Sequence, residues 1–343
     1  MQERIFSEKI TGGTGINHCV DLKSANRVKY LCRGICLLIF LIFSFSLSAQ
    51  ETDTIPVKQT TNFEKHFDPA NKQLFIRYKE REMIFDSRGL LHFARYLPDD
   101  MWQIARSPFQ KSNLKGLGIV AASTAILLPL DQMLVDNVRD ISAKIHLTDS
   151  TEYGVALKIG TTKIIKIPKN INTALYQMGE GGTSMLLAGG LWIYGKIKKD
   201  YRAVQTAGDL AETFIIMGVT TQILKRIAGR ESPFMATAKG GVWRPLPSFK
   251  EYQQNTSKYD AFPSGHLATM MATVTVLSEN YPEKKWIKPV GYSIMGLTAW
   301  AMMNTEVHWA GDYPLALALG YLSGKISTMR HLKKYALRRA DFL

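Results

Sequence analysis

The tetrapeptide Pro-Ser-Gly-His at residues 263–266 opens directly into the apolar run 267–277. The proline fixes the entry to a helix, Ser264 can cap its first turn, and Gly265 lets the backbone approach a ligand closely. Free N–H groups and the positive helix end then face one point, which favours an anion such as phosphate. His266 would lie at the mouth of this site. An ordinary capped helix with a solvated histidine is the alternative.

Two further polar groups lie at the ends of other apolar segments. Lys225 begins a basic connection, and His308 and Asp312, four residues apart, separate the fifth and sixth apolar segments. Each has a simpler interpretation: Lys225 can complement a helix C-terminus, His308 can be an interfacial histidine, and Asp312 can cap a helix. We nevertheless predict that Lys225, the Pro-Ser-Gly-His turn and the pair of His308 and Asp312 meet at one site, because each of these groups begins or ends a helix.

The order and spacing of these groups resemble the type 2 phosphatidic acid phosphatase and haloperoxidase superfamily, over roughly residues 180–327. That family's pattern is a lysine, an arginine-proline pair, Pro-Ser-Gly-His, and a histidine followed by an aspartate four residues later. The last two elements match fully. The resemblance implies a helical domain that binds and hydrolyses phosphate esters without a metal ion or other cofactor.

Two positions depart from the family's pattern. Ser232 stands where the arginine of the arginine-proline pair is expected, and Met302 stands where a second arginine is expected. Phosphoryl transfer depends on fixed positive charge around the equatorial oxygens, so both losses bear directly on activity. We expect Arg230 to replace a lost guanidinium, with Arg244 and Arg226 as weaker candidates.

The resemblance also implies a role for each catalytic residue. His308, held in one tautomer by Asp312, would attack phosphorus and form a phosphohistidine. His266 would protonate the leaving oxygen and then activate the water that hydrolyses this intermediate. The implied phosphate-binding residues are Lys225, Arg230, Ser264 and Gly265.

Six apolar segments without strand alternation follow residue 116, which predicts an all-α bundle of about six core helices. We expect this bundle, the family-like domain, to extend over residues 116–330, with a long connecting loop at 151–180. The segments are 117–130, 181–195, 203–224, 265–278, 287–303 and 313–324.

The two ends of the chain have different compositions from the bundle. Residues 1–49 contain basic, apolar and small-residue zones in the order of a secretory signal or N-terminal anchor, together with all three cysteines of the chain. Residues 50–115 are polar with short apolar patches, which indicates a linker followed by amphipathic helices. Residues 331–343 form a basic tail.

The basic connections predict how the bundle lies in a bacterial-type envelope. The connections 195–202 and 279–288 and the tail would be cytoplasmic under the positive-inside rule. If 117–130 does not span, five crossings from residue 181 onward place the three motifs on the periplasmic face. Most apolar stretches fall short of the ~20 residues that a bilayer requires, so a soluble periplasmic bundle is the alternative.

Composition and motifs together favour one function and leave two alternatives open. The net charge is +14, but the basic residues cluster beside apolar runs and no nucleic-acid-binding motif is present. We therefore predict a membrane phosphatase whose partners are a phosphorylated lipid and the bilayer, without predicting an oligomeric state. The alternatives are a catalytically weak lipid-binding or scaffold relative and a soluble periplasmic acid phosphatase.

Overall fold

The computed structural model of the protein describes residues 63–79, 81–86, 90–159 and 162–332. All of these residues belong to one compact unit. The predicted signal or anchor, residues 1–49, and the basic tail from residue 333 onward lie outside the described residues.

Six long helices form the bundle, which confirms the predicted fold class. Four of them meet in a core that includes Met217, Leu267, Met270 and Met295, whereas the first, Leu114–Leu127, buries no residue. Burial of these side chains stabilises the bundle by about 1.5–3 kcal/mol each. The six helices are α2 Leu114–Leu127, α5 Gly181–Lys198, α6 Tyr201–Ala228, α8 Gly265–Asn280, α9 Ile287–Asn304 and α10 Tyr313–Leu332.

Four shorter helices flank the bundle. They are α1 Leu97–Arg106, α3 Asp131–Lys144, α4 Ile171–Met178 and α7 Phe249–Gln254. Helix α3 follows α2 almost directly, and α4 packs against α9. Both therefore bring residues from outside the core helices to the bundle's surface.

Local capping fixes the ends of α6. The Asp200 side chain accepts a hydrogen bond from the backbone N–H of Ala203 at the first turn. Gly229 ends the helix with φ +59°, and a Cβ at this position would lie 1.8 Å from the carbonyl oxygen of Arg244. Only glycine fits this turn, which directs the chain away from α6 immediately after Lys225.

Charged residues hold the opposite end of the bundle together. The Arg202 guanidinium binds both carboxylate oxygens of Glu283, at 2.8 and 2.9 Å, and the carbonyl oxygen of Asn280 at 2.6 Å. Glu279 pairs with Arg81 and Lys325. The basic connections 195–202 and 279–288 therefore lie together, as predicted, at the end away from the Pro-Ser-Gly-His turn.

The prediction of amphipathic helices is wrong for residues 63–86, which form an antiparallel sheet in the order β1 Phe63–Asp68, β2 Gln73–Tyr78 and β3 Arg81–Asp86. Burial alternates along β2 and β3 with a period of two, so one face of the sheet buries Leu74, Ile76, Met83 and Phe85. Helix α1 lies later in the segment 50–115 for which amphipathic helices were predicted. The sheet packs on α6 and α10.

The prediction of a long connecting loop at 151–180 is also wrong. Strands β4 Tyr153–Ile159 and β5 Thr162–Pro168 form a hairpin, and α4 follows. Isoleucine-rich sequence favours the second strand because β-branched side chains pack well in a pleated ladder. The Asn170 side chain then caps α4 by accepting a hydrogen bond from the N–H of Thr173.

One described helical run, Lys111–Lys144, is long and apolar enough to cross a membrane. It contains the segment that the sequence scheme of five crossings leaves out, whereas the helices after residue 181 do not meet the same criterion in the described part of the chain. Polar residues inside the bundle account for this difference. For example, the buried Asn280 amide donates to Asp209 at 2.6 Å.

Candidate active site

Four helix ends meet at one end of the bundle and carry the predicted site. Lys225 lies in the last turn of α6, and His266 lies in the first turn of α8. His308 and Asp312 lie in the short connection between the end of α9 and the start of α10. The antiparallel arrangement of these helices brings together residues that are up to 87 positions apart in sequence.

The two histidines face each other, as predicted. Their ring centroids are 5.9 Å apart and the rings are almost perpendicular, at 71°. The Tyr176 ring of α4 lies 4.5 Å from the His266 ring on another side. The buried Nε2 atom of His266 has no hydrogen-bond partner among the described residues. This nitrogen is available to a ligand.

Burial, the largest cause, together with the neighbouring His308 and Lys225 lowers the pKa of His266 from 6.5 to about 3. The imidazole is therefore neutral around pH 7. An anion beside the ring would act in the opposite direction, because an opposite charge favours the protonated form.

His308 is held in one tautomer chiefly by a backbone carbonyl. Its Nδ1 atom lies 2.8 Å from the carbonyl oxygen of Ala261 and 3.5 Å from the nearer carboxylate oxygen of Asp312. A carbonyl oxygen only accepts, so Nδ1 carries the proton and donates it. Nε2 then keeps its lone pair, as a nucleophile requires. The sequence predicts this tautomer but assigns it to Asp312 alone.

Asp312 fixes the connection that carries His308. One carboxylate oxygen accepts the backbone N–H of Trp309 at 2.8 Å. The other accepts Nη1 of Arg230 at 2.6 Å. The carboxylate is completely buried, so these bonds decide where both of its oxygens point.

Arg230 contacts carboxylates rather than the gap between the histidines. Its Nη2 atom donates to Asp131 at 2.5 Å and to the carbonyl oxygen of Gly240 at 2.7 Å. The indoles of Trp243 and Trp309 lie 5.0 and 5.3 Å from the guanidinium carbon. These contacts occupy both terminal nitrogens, so they do not support the predicted phosphate contact.

The two weaker arginine candidates also have other partners. Arg244 pairs with the buried carboxylate of Glu231 at 2.5 Å. Burial alone would raise the pKa of Glu231, but hydrogen bonds from two backbone N–H groups and Arg244 hold it below its usual value. Arg226 bonds Gln222 and stacks on Tyr252.

Lys225 is the cation beside the histidines. Its ammonium group donates to the carbonyl oxygen of Asp260 at 2.5 Å and lies 3.6 Å from the Asp260 carboxylate. A Cβ added to Gly265 would lie 3.9 Å from Cε of Lys225. Lys225 and the start of α8 therefore adjoin, as predicted.

Ser264 caps α8 but differs from the prediction in one atom. Its hydroxyl oxygen accepts the N–H of Leu267 at 3.5 Å. Its own N–H donates to the carbonyl oxygen of Asp312 at 3.1 Å, so this N–H is not free for phosphate. The Ser264 hydroxyl donates to the sulfur of Met302 at 3.7 Å, which leaves the Gly265 N–H as the remaining candidate of this turn.

The site residues predicted from the sequence all lie within a single family match: residues 206–335 match the model of the PAP2 superfamily. This part of the chain is similar to the PAP2 superfamily. The matched segment begins within α6, so it includes Lys225, the Pro-Ser-Gly-His turn and the His308 connection.

Two individual PAP2 proteins are similar to this chain. The lipid A 1-phosphatase of Porphyromonas gingivalis is 29% identical over 93 residues, which are 27% of this chain and 21% of that protein. The chain thus matches about a fifth of that relative's length. A crystal structure of the first transmembrane PAP2 type phosphatidylglycerolphosphate phosphatase from Bacillus subtilis covers 70% of this chain and 98% of its own, at 12% identity and a TM-score of 0.32.

The two departures from the PAP2 pattern have structural counterparts. Met302 is completely buried in the bundle core, with its sulfur 3.7 Å from the Ser264 hydroxyl. Ser232 is also buried, and its N–H donates to the carbonyl oxygen of Ser257. Neither position supplies a charge, whereas Lys225 lies close enough to His266 to lower the pKa of its imidazole.

Sequence reasoning missed three contributors to the site. Asp131 comes from outside the matched segment, Tyr176 comes from a segment predicted as loop, and Ala261 contributes only a backbone carbonyl. A single acidic residue directly after an apolar run was the available signal for Asp131, because a buried carboxylate must find a partner. No sequence pattern distinguishes the other two.

Proposed function

We propose that the protein is a phosphate-ester hydrolase that acts on a lipid phosphate through a phosphohistidine intermediate. The observation that carries this proposal is the pair of facing imidazoles beside Lys225, one with a free Nε2 lone pair and one with an unpartnered nitrogen. This arrangement supports nucleophilic attack on one side of phosphorus and proton transfer on the other.

The first step transfers the phosphoryl group to the protein. The Nε2 lone pair of His308 attacks phosphorus in line, and the bond from phosphorus to the lipid oxygen breaks. His266 gives its proton to that oxygen. The negative charge of a bound phosphate favours the protonated imidazole that this step requires.

The second step returns the protein to its starting form. Neutral His266 removes a proton from water, whose oxygen attacks phosphorus as the bond to His308 breaks. Inorganic phosphate leaves, and His266, no longer beside an anion, releases to solvent the proton that it had taken up when the substrate bound. Lys225, the Gly265 N–H and the positive end of α8 stabilise charge on the phosphoryl oxygens in both steps. Histidine chemistry of this kind requires no metal ion.

The surface of the bundle supports a lipid substrate. Helices α5 and α6 expose apolar side chains, which soluble monomers rarely gather in one area. These residues are Leu186, Ile193, Ile197, Ile215, Val219, Ile223 and Ile227. We propose that this surface contacts acyl chains, as does the Lys111–Lys144 run.

The connection from α6 to α8 supports the same conclusion at the site end. Phe234, Leu246 and Phe249 are 50%, 74% and 73% exposed. Leu246 also has φ +54°, a backbone conformation that is unfavourable for a leucine. Lys239 and Lys250 lie nearby in sequence. Apolar and basic side chains together suit an anionic lipid surface.

We also propose that the site faces the periplasm, because the basic connections lie at the opposite end of the bundle. This orientation places the sheet of residues 63–86 on the cytoplasmic side, which disagrees with a signal cleaved after residue 49. Single cysteines tested with a membrane-impermeant maleimide distinguish the two arrangements, since the natural cysteines all precede residue 37. Lys250→Cys is expected to react in intact cells and Lys199→Cys only after lysis, whereas the reverse pattern refutes the orientation.

The function is tested by phosphate release from a panel of lipid monophosphates and diphosphates, with the full chain in detergent micelles. We expect His308→Ala to reduce release by at least about 10⁴-fold. His146→Ala, which changes an exposed histidine, is the matched control and should retain activity. Acid quenching of the wild type should trap an acid-labile phosphohistidine. Undiminished release by His308→Ala would refute the mechanism.

A catalytically weak lipid-phosphate-binding protein is the second candidate. The observation that favours it is that Arg226, Arg230 and Arg244 all contact other groups, so Lys225 has no arginine partner at the site. Saturable binding of a lipid phosphate without turnover, lost in Lys225→Ala, would establish this alternative. Release of the protein by alkaline carbonate would instead favour a soluble phosphatase.

A further inference from the structure

Asp131 is a completely buried acid that no part of the PAP2 match contains. It is the first residue of α3, directly after Leu128–Leu130. The family match begins 75 residues later, at residue 206. The side chain nevertheless reaches the connection that carries His308.

Asp131 makes two contacts there, one with each carboxylate oxygen. Oδ1 accepts the backbone N–H of Gly311 at 2.7 Å. Oδ2 accepts Nη2 of Arg230 at 2.5 Å. The approach is close, since a Cβ on Gly311 would lie 2.8 Å from Oδ2. Asp131 thus holds both the backbone beside Asp312 and the guanidinium that binds Asp312.

Arg230 divides its two terminal nitrogens between two acids. Nη1 binds Oδ1 of Asp312 and Nη2 binds Asp131. Oδ2 of Asp312 is therefore not bound by Arg230. It accepts the Trp309 N–H at 2.8 Å and lies 3.5 Å from Nδ1 of His308. An arginine next to one carboxylate alone tends to bind both of its oxygens with its two nitrogens.

We propose that Asp131 is a positioning residue for His308. Because Asp131 binds Nη2 of Arg230, the two terminal nitrogens of Arg230 do not both bind Asp312. Without it, the guanidinium would take Oδ2 of Asp312 away from the His308 connection. The expected change in kcat rests on the proposed function. The expected change in the surroundings of His308 can be measured without turnover.

The kinetic test compares Asp131→Asn with the wild type on a lipid monophosphate. The amide is close in shape and can still accept from Gly311, but it no longer holds a full charge for Arg230. We expect kcat to fall by about 10- to 100-fold, the usual range for partners that orient a reactive group, with KM changed less than about 2-fold. Asp136→Asn, an exposed acid on the same helix, should match the wild type.

A double variant separates positioning from general damage to the fold. If Asp131 acts through Asp312, then Asp131→Asn should add no further loss to Asp312→Asn. Independent, multiplied losses would overturn the inference, and so would an unchanged kcat in Asp131→Asn alongside an active wild type. In both cases the proposed phosphatase function would stand.

An inactive wild type would refute the proposed function but would leave the inference about Asp131 open to a spectroscopic test. The His308 Nδ1–H proton should give a downfield imidazole signal in ¹⁵N-histidine spectra, assigned by its loss in His308→Gln. We expect Asp131→Asn, with its melting temperature recorded, to shift or broaden that signal and Asp136→Asn to leave it in place. An unchanged signal in Asp131→Asn overturns the inference.

Discussion

The two ends of the bundle use similar charged residues in different ways. At the basic end, Arg202 has a partner for each of its side-chain nitrogens, and Glu279 has two cationic partners. At the site end, Nε2 of His266 is buried without a partner among the described residues, and Nε2 of His308 keeps its lone pair. Satisfied polar groups maintain the fold, whereas unsatisfied ones at a helix mouth are available for a substrate.

Arg230 is an exception to this contrast between the basic end and the site end. It lies at the site end, yet its terminal nitrogens are as fully satisfied as those of Arg202. The site therefore consists of a few free groups held by a satisfied network. Variants that change the free groups should affect activity, and variants that change the satisfied groups at the far end should affect stability.

The largest expected effect within this contrast is on Lys225. We expect Lys225→Ala to lower kcat/KM by about 10²- to 10³-fold, because it removes the positive charge nearest the reacting phosphoryl group. Lys225→Arg should restore part of this loss. Rates of phosphate release at limiting lipid concentration provide the measurement. A Lys225→Ala protein as active as the wild type would show that the charge comes from elsewhere.

At the other end, the expected effect is on stability alone. Arg202→Ala should lower the free energy of unfolding by about 3 kcal/mol, because it leaves Glu283 without its buried partner. Denaturant titration in micelles measures this change. Activity per folded molecule should equal that of the wild type, and a selective loss of kcat would contradict the division between the two ends.

The pH dependence of stability offers a third comparison. The pKa of His266 is about 3 in the folded protein and 6.5 for an ordinary histidine, so the unfolded chain binds a proton first as the pH falls. Stability should therefore decrease between about pH 6.5 and pH 3, by at most about 1.4 kcal/mol per unit for this group. His266→Gln should reduce that slope when unfolding is measured at each pH. A slope identical to the wild type would refute the assignment.

The smallest expected effect concerns the exposed connection at the site end. Joint replacement Leu246→Ser and Phe249→Ser should lower activity on lipid phosphate in anionic vesicles by about 3- to 10-fold, since less apolar area enters the bilayer. Hydrolysis of a short soluble phosphate ester should not change. The matched control is Leu91→Ser, an exposed leucine of the N-terminal region. Equal losses on both substrates would show damage to the site itself.

Much of the helical scaffold follows from local sequence. The six apolar segments correspond to six helices because their lengths and lack of alternation exclude strands. Ser264 begins α8 as a cap, and Gly229 ends α6. Residues 73–86 were predicted incorrectly, because the alternation with a period of two is in their burial. In the sequence, Phe75 and Ile84 interrupt the alternation of polar and apolar residues that would indicate strands.

The partners of the charged groups are a different matter. Arg230 was preferred over Arg226 and Arg244 because it lies closest in sequence to the missing arginine. In three dimensions each meets a different group, namely Gln222 and Tyr252 for Arg226, two aspartates for Arg230, and Glu231 for Arg244. Sequence spacing does not measure the distance between atoms on separate helices, so this ranking did not identify a phosphate contact.

By itself, the sequence determined the residue types of the site, the helices that carry them and their order along the chain, because short-range capping and hydrophobic periodicity encode these features. Only the tertiary structure decided that Ala261 orients His308, that Asp131 holds Gly311 from 180 residues away, and that Lys225 is the cation beside the histidines. These outcomes depend on which buried groups come within hydrogen-bonding distance when the helices pack, and that distance is a property of the whole fold.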